Sequence, residues 1–257
     1  MRVITVNTNG IRAAAKKGFF EWMEAQSPDF VCVQETKAQE VQLNDELFNP
    51  VGYYRYLNDA EKKGYSGTAV YARKEPLNVC TELGIEYCDS EGRYVRLDYE
   101  NLSIVSLYMP SGSSGDERQA VKYQMMDDMR AHFSELRDSG REIIICSDWN
   151  IVHTEKDIKN WKGNQKNSGC LPQERAWLDT LFDEDGWVDV FRCLNDKDEQ
   201  YTWWSNRGQA WANNTGWRLD YHVATPAIAK LATYEEVYRE QRFSDHAPLT
   251  IDYDIEY

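Results

Sequence analysis

The chain is short of the features that mark a membrane, secreted or zinc-binding protein. No uncharged apolar run reaches the ~18 residues that a membrane helix needs. The opening, MRVITVNTNG, has no cleavable apolar leader and goes straight into a strand-like pattern, so a cytoplasmic protein is expected. Six cysteines (Cys32, Cys80, Cys88, Cys146, Cys170 and Cys193) are scattered without a C-x-x-C spacing. That argues against a zinc ribbon or a disulfide framework and for reduced thiols, with Cys32 and Cys146 serving as small hydrophobes inside apolar runs. Basic residues are also scarce: 29 Lys and Arg stand against 43 Asp and Glu, a net charge of −14. Taken in bulk, that balance opposes a polyanionic partner. Its distribution does not. The windows 1–20, 62–74, 158–173 and 200–219 contain no acid and carry +13, leaving −27 for the rest. An acidic body with a basic face is compatible with a polyanion.

No repeat, low-complexity tract or long linker divides the 257 residues, and a single domain over 1–257 is expected. Apolar, β-branched runs recur at 2–6, 29–34, 67–72, 94–99, 102–109, 142–147, 218–224 and 248–253. Helices fall between them. The clearest spans 117–138, with Val121, Met125, Met129, Phe133 and Leu136 on one face, a Ser114–Glu117 capping box before it and Gly140 after it. A second runs from Pro172 to Phe182. The pattern predicts an α/β layered protein with two packed sheets.

The apolar runs end in polar groups. VITVN ends in Asn7, FVCVQE in Glu35, SIVSLY in Tyr108, and IIICSDWN in Asp148 and Asn150. WRLDYH carries Asp220, and FSDHAPL places Asp245 and His246 before the last run. Rigid strands that present such groups at their tips suit a catalytic constellation. Glu35, Asp148, Asp245 and the asparagine carbonyls are hard oxygen donors, which suit Mg²⁺ or Mn²⁺ rather than zinc. Asp220 can orient the His246 imidazole toward a phosphoryl oxygen, and Asp148 can take a proton from water. Singly, an Asn or Asp after a strand is most often a turn residue; the signal lies in the repetition. His222 reads as a strand-face residue, His132 as a helix-surface one, and His153 as either a support of the site or a solvated loop residue.

Two further stretches admit a bland and a functional reading. DIKNWKGNQKNSG (157–169) is either a solvated loop or a phosphate-gripping one, its lysines and amides both being donors. YTWWSNRGQAWANNTGW (201–217) holds Trp203, Trp204, Trp211 and Trp217, of which at least two are expected in the core. The others can wall a pocket for an extruded nucleotide or sugar, with Arg207 reaching into a groove.

These motifs, in this order and over essentially the whole chain, resemble the exonuclease III family of abasic-site endonucleases, within the deoxyribonuclease I-like superfamily. They are NTNGIRAAAKKGF, VCVQETK, KKGYSG, SLYMPSG, SDWN, KGNQKNSG, GWRLDY and FSDHAPL. The resemblance implies a four-layer α/β sandwich, two mixed sheets packed face to face and flanked by helices. It implies Mg²⁺-dependent cleavage of duplex DNA 5′ to an abasic site, leaving a 3′ hydroxyl, with clearing of blocked 3′ ends and 3′-to-5′ exonuclease activity. Mn²⁺ is expected to substitute.

Carried over by motif, Glu35 is the main metal ligand, with Asn7 and Asp245 assisting and Asp148, Asn150 and His246 near the ion. Asp148 activates water, Asn150 and His246 bind the scissile phosphate, Asp220 orients His246, and Tyr108 meets the phosphate as phenol or phenolate. Trp203, Trp217 and Leu219 fall at the pocket for the baseless sugar, and Arg12, Lys37, Tyr65, Ser111, Asn164, Lys166, Asn167 and Arg207 at the DNA face. Ser111 stands where relatives often have Asn or Gln, and the GSSG loop (112–115) lacks a bulky basic probe. A lipid or inositol phosphate phosphodiesterase would share the central residues. A glycosidase would share the carboxylates and tryptophans but need no metal. A non-catalytic DNA-binding protein would survive loss of Glu35.

Overall fold

The run EIIICSD becomes a strand buried on both faces, because its residues alternate between two cores. Ile144 and Cys146 enter one, Ile143 and Ile145 the other. The computed structural model describes residues 1–257. The chain opens with β1 (Arg2–Asn7), α1 (Ile11–Ala15), α2 (Phe19–Gln26) and β2 (Phe30–Gln34). Strands β3 (Tyr54–Asn58), β4 (Thr68–Ala72) and β5 (Asn78–Cys80) follow, then α3 (Glu86–Ser90), β6 (Tyr94–Asp98) and β7 (Leu102–Tyr108). The long helix α4 (Asp116–Asp138) leads to β8 (Glu142–Asp148), α5 (Trp161–Asn164) and α6 (Pro172–Asp179). Beyond lie β9 (Val188–Asp189), α7 (Val190–Leu194), β10 (Trp203–Trp204), β11 (Gly216–Trp217) and β12 (Asp220–Ala224). The last elements are α8 (Pro226–Ala229), β13 (Ala232–Val237) and β14 (Leu249–Tyr253).

Two six-stranded mixed sheets form, ordered β13-β14-β1-β2-β4-β3 and β5-β6-β7-β8-β12-β9, with β10 and β11 as a small ribbon. Val3, Phe30, Cys32, Ile104, Ile144 and Leu249 fill the space between the sheets. Ile4 and Val6 turn outward to Phe19, Phe20 and Met23 of α2. On the other side, Met125, Met129 and Phe133 of α4 cover Ile143 and Ile145. The result is the expected four-layer α/β sandwich.

Register brings the polar tips together. β1 runs parallel to β2, with Asn7 opposite Gln34, and β7 runs parallel to β8, with Tyr108 opposite Asp148. β12 is antiparallel to β8 and starts where β8 ends, so Asp220 lies opposite Asp148. Parallel strands end on the same edge, and that edge collects the side chains. A one-residue slip of β8 would turn Asp148 to the opposite face. Across the sheets, the Gln34 amide donates to Ser106 Oγ at 3.1 Å, a polar pin inside the apolar layer.

Some local expectations fail for identifiable reasons. α4 starts at Asp116 behind Gly115, without a side-chain cap, so no Ser114–Glu117 box forms. Asp116 and Glu117 lie in the first turn, where they favour the helix dipole. α6 stops at Asp179 and passes into a π turn at Thr180–Glu184 rather than running regularly through Phe182. β3 and β13 escaped the sequence reading because they are polar, part-exposed edge strands. Of the four clustered tryptophans only Trp204 is fully buried: Trp203 and Trp217 pack against Val152, Ile158, Cys170 and Leu219 and also line a cavity, and Trp211 is half-buried beside Trp204. His132 is half-buried rather than on the surface, and its Nε2 meets the Tyr94 hydroxyl at 2.9 Å.

His222 is fully buried on β12, and burial lowers its pKa to about 3. The unfolded chain takes up that proton near pH 6.5. The stability carried by the neutral ring is therefore complete above pH 6.5 and lost as the pH falls toward the folded value, at ~1.4 kcal/mol per pH unit. Denaturant titrations at pH 7.5 and 5 should show a smaller acid loss in His222→Gln than in wild type. Equal losses would contradict this account.

Candidate active site

The strand edge opens into a cavity of about 870 Å³. Its walls include Glu35, Tyr108, Asp148, Asn150, Asp245 and His246, with Trp203, Trp217 and Leu219 on one side. Ser111, Lys166, Asn167 and Arg207 stand at its margins. Thirteen residues named from the sequence thus line one space. Asn7 and Asp220 support it from behind, buried.

At the centre, His246 Nδ1 lies 2.8 Å from Asp220 Oδ2, and its Nε2 lies 3.7 Å from Asp148 Oδ2. Burial opposes charge on this imidazole, but the two carboxylates outweigh it and raise its pKa to about 10. The ring is an imidazolium at neutral pH. Asp148, buried as deeply, is pushed up to about 7 mainly by desolvation, with His246 pulling the other way. Its Oδ1 accepts from Asn150 N at 2.9 Å and its Oδ2 from Asn7 Nδ2 at 2.8 Å.

The same Asn7 amide donates to Glu35 Oε1 at 2.8 Å, joining the two sheets' carboxylates. Its oxygen accepts from Asn9 N–H at 2.8 Å. In this arrangement the Asn7 amide nitrogen bridges two acids, while its oxygen accepts one hydrogen bond and keeps a second lone pair. Burial alone would raise the Glu35 carboxyl, but Lys37, Asn7 and Tyr108 hold it below the ordinary value. Lys37 Nζ sits 2.8 Å from Glu35 Oε2. Asp245, also lowered against its burial, faces the His246 charge and accepts from Trp203 Nε1 at 3.1 Å and Asn9 Nδ2 at 3.0 Å.

Tyr108 is pushed well above the usual tyrosine range by burial and by Glu35, and Arg93 offsets this only in part. Burial beside Glu35 thus favours the phenol form. Asn150 gives its amide hydrogens to Met109 O at 2.8 Å and weakly to Asp148 Oδ2 at 3.4 Å. What it offers a ligand is its side-chain oxygen, so binding a phosphate through its N–H groups would require the amide to turn, whereas holding a cation would not. Asn9, Glu35, Lys37 and Asn150 all hold positive φ values, 45°, 52°, 49° and 52°. Such backbone is strained outside glycine and gathers at working sites.

Other expected contacts lie outside the cavity. Arg12 is exposed on α1. Tyr65 accepts from Arg118 at 2.9 Å, and Asn164 is tied up within its own loop through Asn160 O and Asn167. His153 pairs with Asp179 at 2.8 Å, apart from the cavity walls. The sequence reading missed Asn9, Ser244, Lys122 and Glu174. Ser244 Oγ donates to Asn7 O at 2.6 Å and accepts from His246 N, fixing the last loop to β1. Lys122 could have been noticed, since it falls in the helical row of Met126, Met129 and Phe133.

The donor chemistry fits a hard divalent cation. Carboxylates and amide oxygens without cysteine converge, and Glu35 already attracts an ammonium group. Asp148, Asp220 and His246 also lie close enough to share an ion. The 2.8 Å Asp220–His246 contact already engages one carboxylate oxygen and one ring nitrogen of that group, and Glu35 and Asp245 line the same cavity.

Strand tips that aim carboxylates, an imidazolium and a phenol into one cavity define an enzyme that hydrolyses phosphate esters. Residues 4–246 match the endonuclease/exonuclease/phosphatase family. The chain is 38% identical over 253 residues to an exodeoxyribonuclease of Bacillus subtilis, covering 98% of each. It is 35% identical over 259 residues to a DNA-(apurinic or apyrimidinic site) endonuclease of Dictyostelium discoideum, covering 99% of this chain and 71% of that one. The structure of an AP endonuclease from Archaeoglobus fulgidus superposes with a TM-score of 0.90 at 25% identity, covering 99% of this chain and 100% of that one. The chain belongs to the endonuclease/exonuclease/phosphatase family.

Proposed function

We propose that this enzyme is a DNA repair nuclease that hydrolyses the phosphodiester 5′ to an abasic site in duplex DNA. Removal of blocks from 3′ ends and 3′-to-5′ exonuclease action would use the same site. The reading includes residues 1–257 acting as one catalytic domain in the cytoplasm, associated with the nucleoid while at work. The observation that carries it is the Asp148–His246–Asp220 relay beside a cavity walled by Trp203, Trp217 and Leu219. The relay supplies hydrolysis, and the walls offer an apolar surface against which an extruded sugar would pack.

Asp148, with a pKa near neutrality, takes the proton of the attacking water. The water oxygen bonds to phosphorus, the bond to the 3′ oxygen breaks, and that oxygen leaves as a hydroxyl after taking a proton from solvent. The His246 imidazolium, held by Asp220, neutralises a phosphoryl oxygen. The Tyr108 phenol donates to another. Glu35 and Asp245 would hold Mg²⁺, or Mn²⁺ in its place, with Asn150 close by. Once bound, the ion supplies charge neutralisation and polarisation of the phosphate. Lys166, Asn167 and Arg207 would meet the flanking backbone, and Ser111 would make one polar contact.

A labelled duplex with one abasic-site analogue, beside an undamaged control, tests the reading. Cleavage just 5′ to the lesion with Mg²⁺, and none with EDTA, is expected. Progressive 3′ shortening of both duplexes would make exonuclease the main activity. An uncut pair would overturn the DNA reading and favour inositol phosphates.

A further inference from the structure

Lys122 and Glu174 are a fully buried ion pair, Nζ to Oε1 at 2.6 Å, and neither touches the reacting groups directly. Replacing such a pair with apolar residues is often neutral or stabilising. Its presence in the Met126–Met129–Phe133 row of α4 therefore needs a reason other than stability. The contacts supply one. Lys122 Nζ also donates to the Asn150 backbone carbonyl oxygen at 2.8 Å, behind a residue held at φ 52°. Glu174 Oε2 accepts from Gly169 N at 2.6 Å and Leu171 N at 3.1 Å, and its Oε1 from Gln119 Nε2 at 3.0 Å.

Gly169 marks where these groups converge. Its φ is +91°, and a Cβ there would lie 2.9 Å from Asn150 O and 3.0 Å from the Trp217 ring. The carbonyl of the Asn150 turn, the end of the 162–169 loop and a wall of the sugar pocket thus meet over one buried ammonium group. We propose that Lys122 and Glu174 are positioning residues, a clamp on α4 and α6 that fixes the Asn150 turn and the 162–169 loop in register for phosphate binding. The proposal rests on the function assigned above, and it adds a fixed point shared by the reacting centre and the backbone grip.

Two double variants test it. Lys122→Met/Glu174→Leu removes the charges and the acceptors for Gly169 and Leu171. Lys122→Met/Glu174→Gln removes the charges but keeps an acceptor oxygen. In the Leu pair, KM for the abasic duplex should rise about tenfold, the worth of one or two hydrogen bonds, at unchanged circular dichroism. Amides in 164–171 should lose exchange protection. The Gln pair should recover most of both, while still exchanging faster than the wild type. A role confined to folding would lower the folded fraction without moving KM or the local exchange. Wild-type KM and wild-type protection in the Leu pair would overturn the clamp. Should the Leu pair not fold, the Gln pair decides: slower exchange in 164–171 than in the wild type, or an equal rate, overturns it. If the wild type itself leaves the duplex uncut, the functional reading fails, and hydrogen exchange alone judges the clamp.

Discussion

Asp148→Asn is expected to lower turnover by about 10²–10⁴-fold, the usual worth of a positioned general base, while the protein stays folded. The side chain keeps its shape between Asn7 and the Asn150 amide, losing the proton acceptor and one of the two short hydrogen bonds that its carboxylate oxygens accept. Stability should be retained for a separate reason. Desolvation raises the Asp148 pKa from 3.8 to about 7. A carboxyl shifted upward favours the fold below its unfolded value, and that contribution disappears as the pH rises through the folded one. At pH 8 the metal-free wild type therefore carries an unfavourable buried charge that the amide variant lacks. The melting temperature of the metal-free variant should equal or exceed that of the wild type, a trade of stability for activity. Turnover within tenfold of wild type would remove Asp148 from the mechanism. A parallel loss of melting temperature would show that the variant had merely unfolded.

Arg218→Met should be the most destabilising single change outside the apolar cores. Arg218 is fully buried, 2.7 Å from Asp157 Oδ1 and bonded through both terminal nitrogens to Asp189 at 3.2 and 2.6 Å. Arg192 also pairs with Asp157. Without the guanidinium, Asp189 has no cationic partner and Asp157 only one, both in low dielectric. Breaking a buried pair from one side costs about 3–5 kcal/mol, or roughly 6–20 °C in melting temperature for a chain of this size. Because Arg218 lies between Trp217 and Leu219, the sugar pocket should loosen as well, with a shift in tryptophan emission before global unfolding. A melting temperature within about 2 °C of wild type, under ~1 kcal/mol, would contradict this. Adding Asp157→Asn and Asp189→Asn should recover much of the loss by removing the stranded charges.

The sequence made the central chemistry legible because strand cores and polar tips alternate in a pattern two residues long. β1, β2, β7, β8 and β12 each show an apolar run and a functional group at or beside one end; the parallel pairs β1–β2 and β7–β8, and β12 starting antiparallel where β8 ends, put those groups on one edge. Less was legible where the outcome depended on which donor a side chain spends on which neighbour. Asn7 reads as an oxygen ligand in one dimension, yet its amide bridges Glu35 and Asp148. Lys122 reads as a polar helix position until Glu174, 52 residues later, folds onto it. Edge strands β3 and β13 were hidden because exposure relaxes the demand for apolar residues on both faces. Trp203 and Trp217 carry the mass of core residues but stand in an edge-to-face pair, centroids 5.9 Å apart, on a cavity wall.

The strand order also bears on when this enzyme can become dangerous to nucleic acid in a cell. β1, the earliest strand, lies between β2 and β14, the last strand of the chain. Asp245 and His246 arrive only just before β14, about 240 residues behind Asn7. A nascent chain that has emerged through β12 already carries Glu35, Asp148 and Asp220, but it has neither the imidazolium nor the strand that closes the first sheet. Such long-range pairing forms late in folding. The hydrolytic site is thus completed only once residues 245–253 have been made, and translation products that stop before them carry no working nuclease centre.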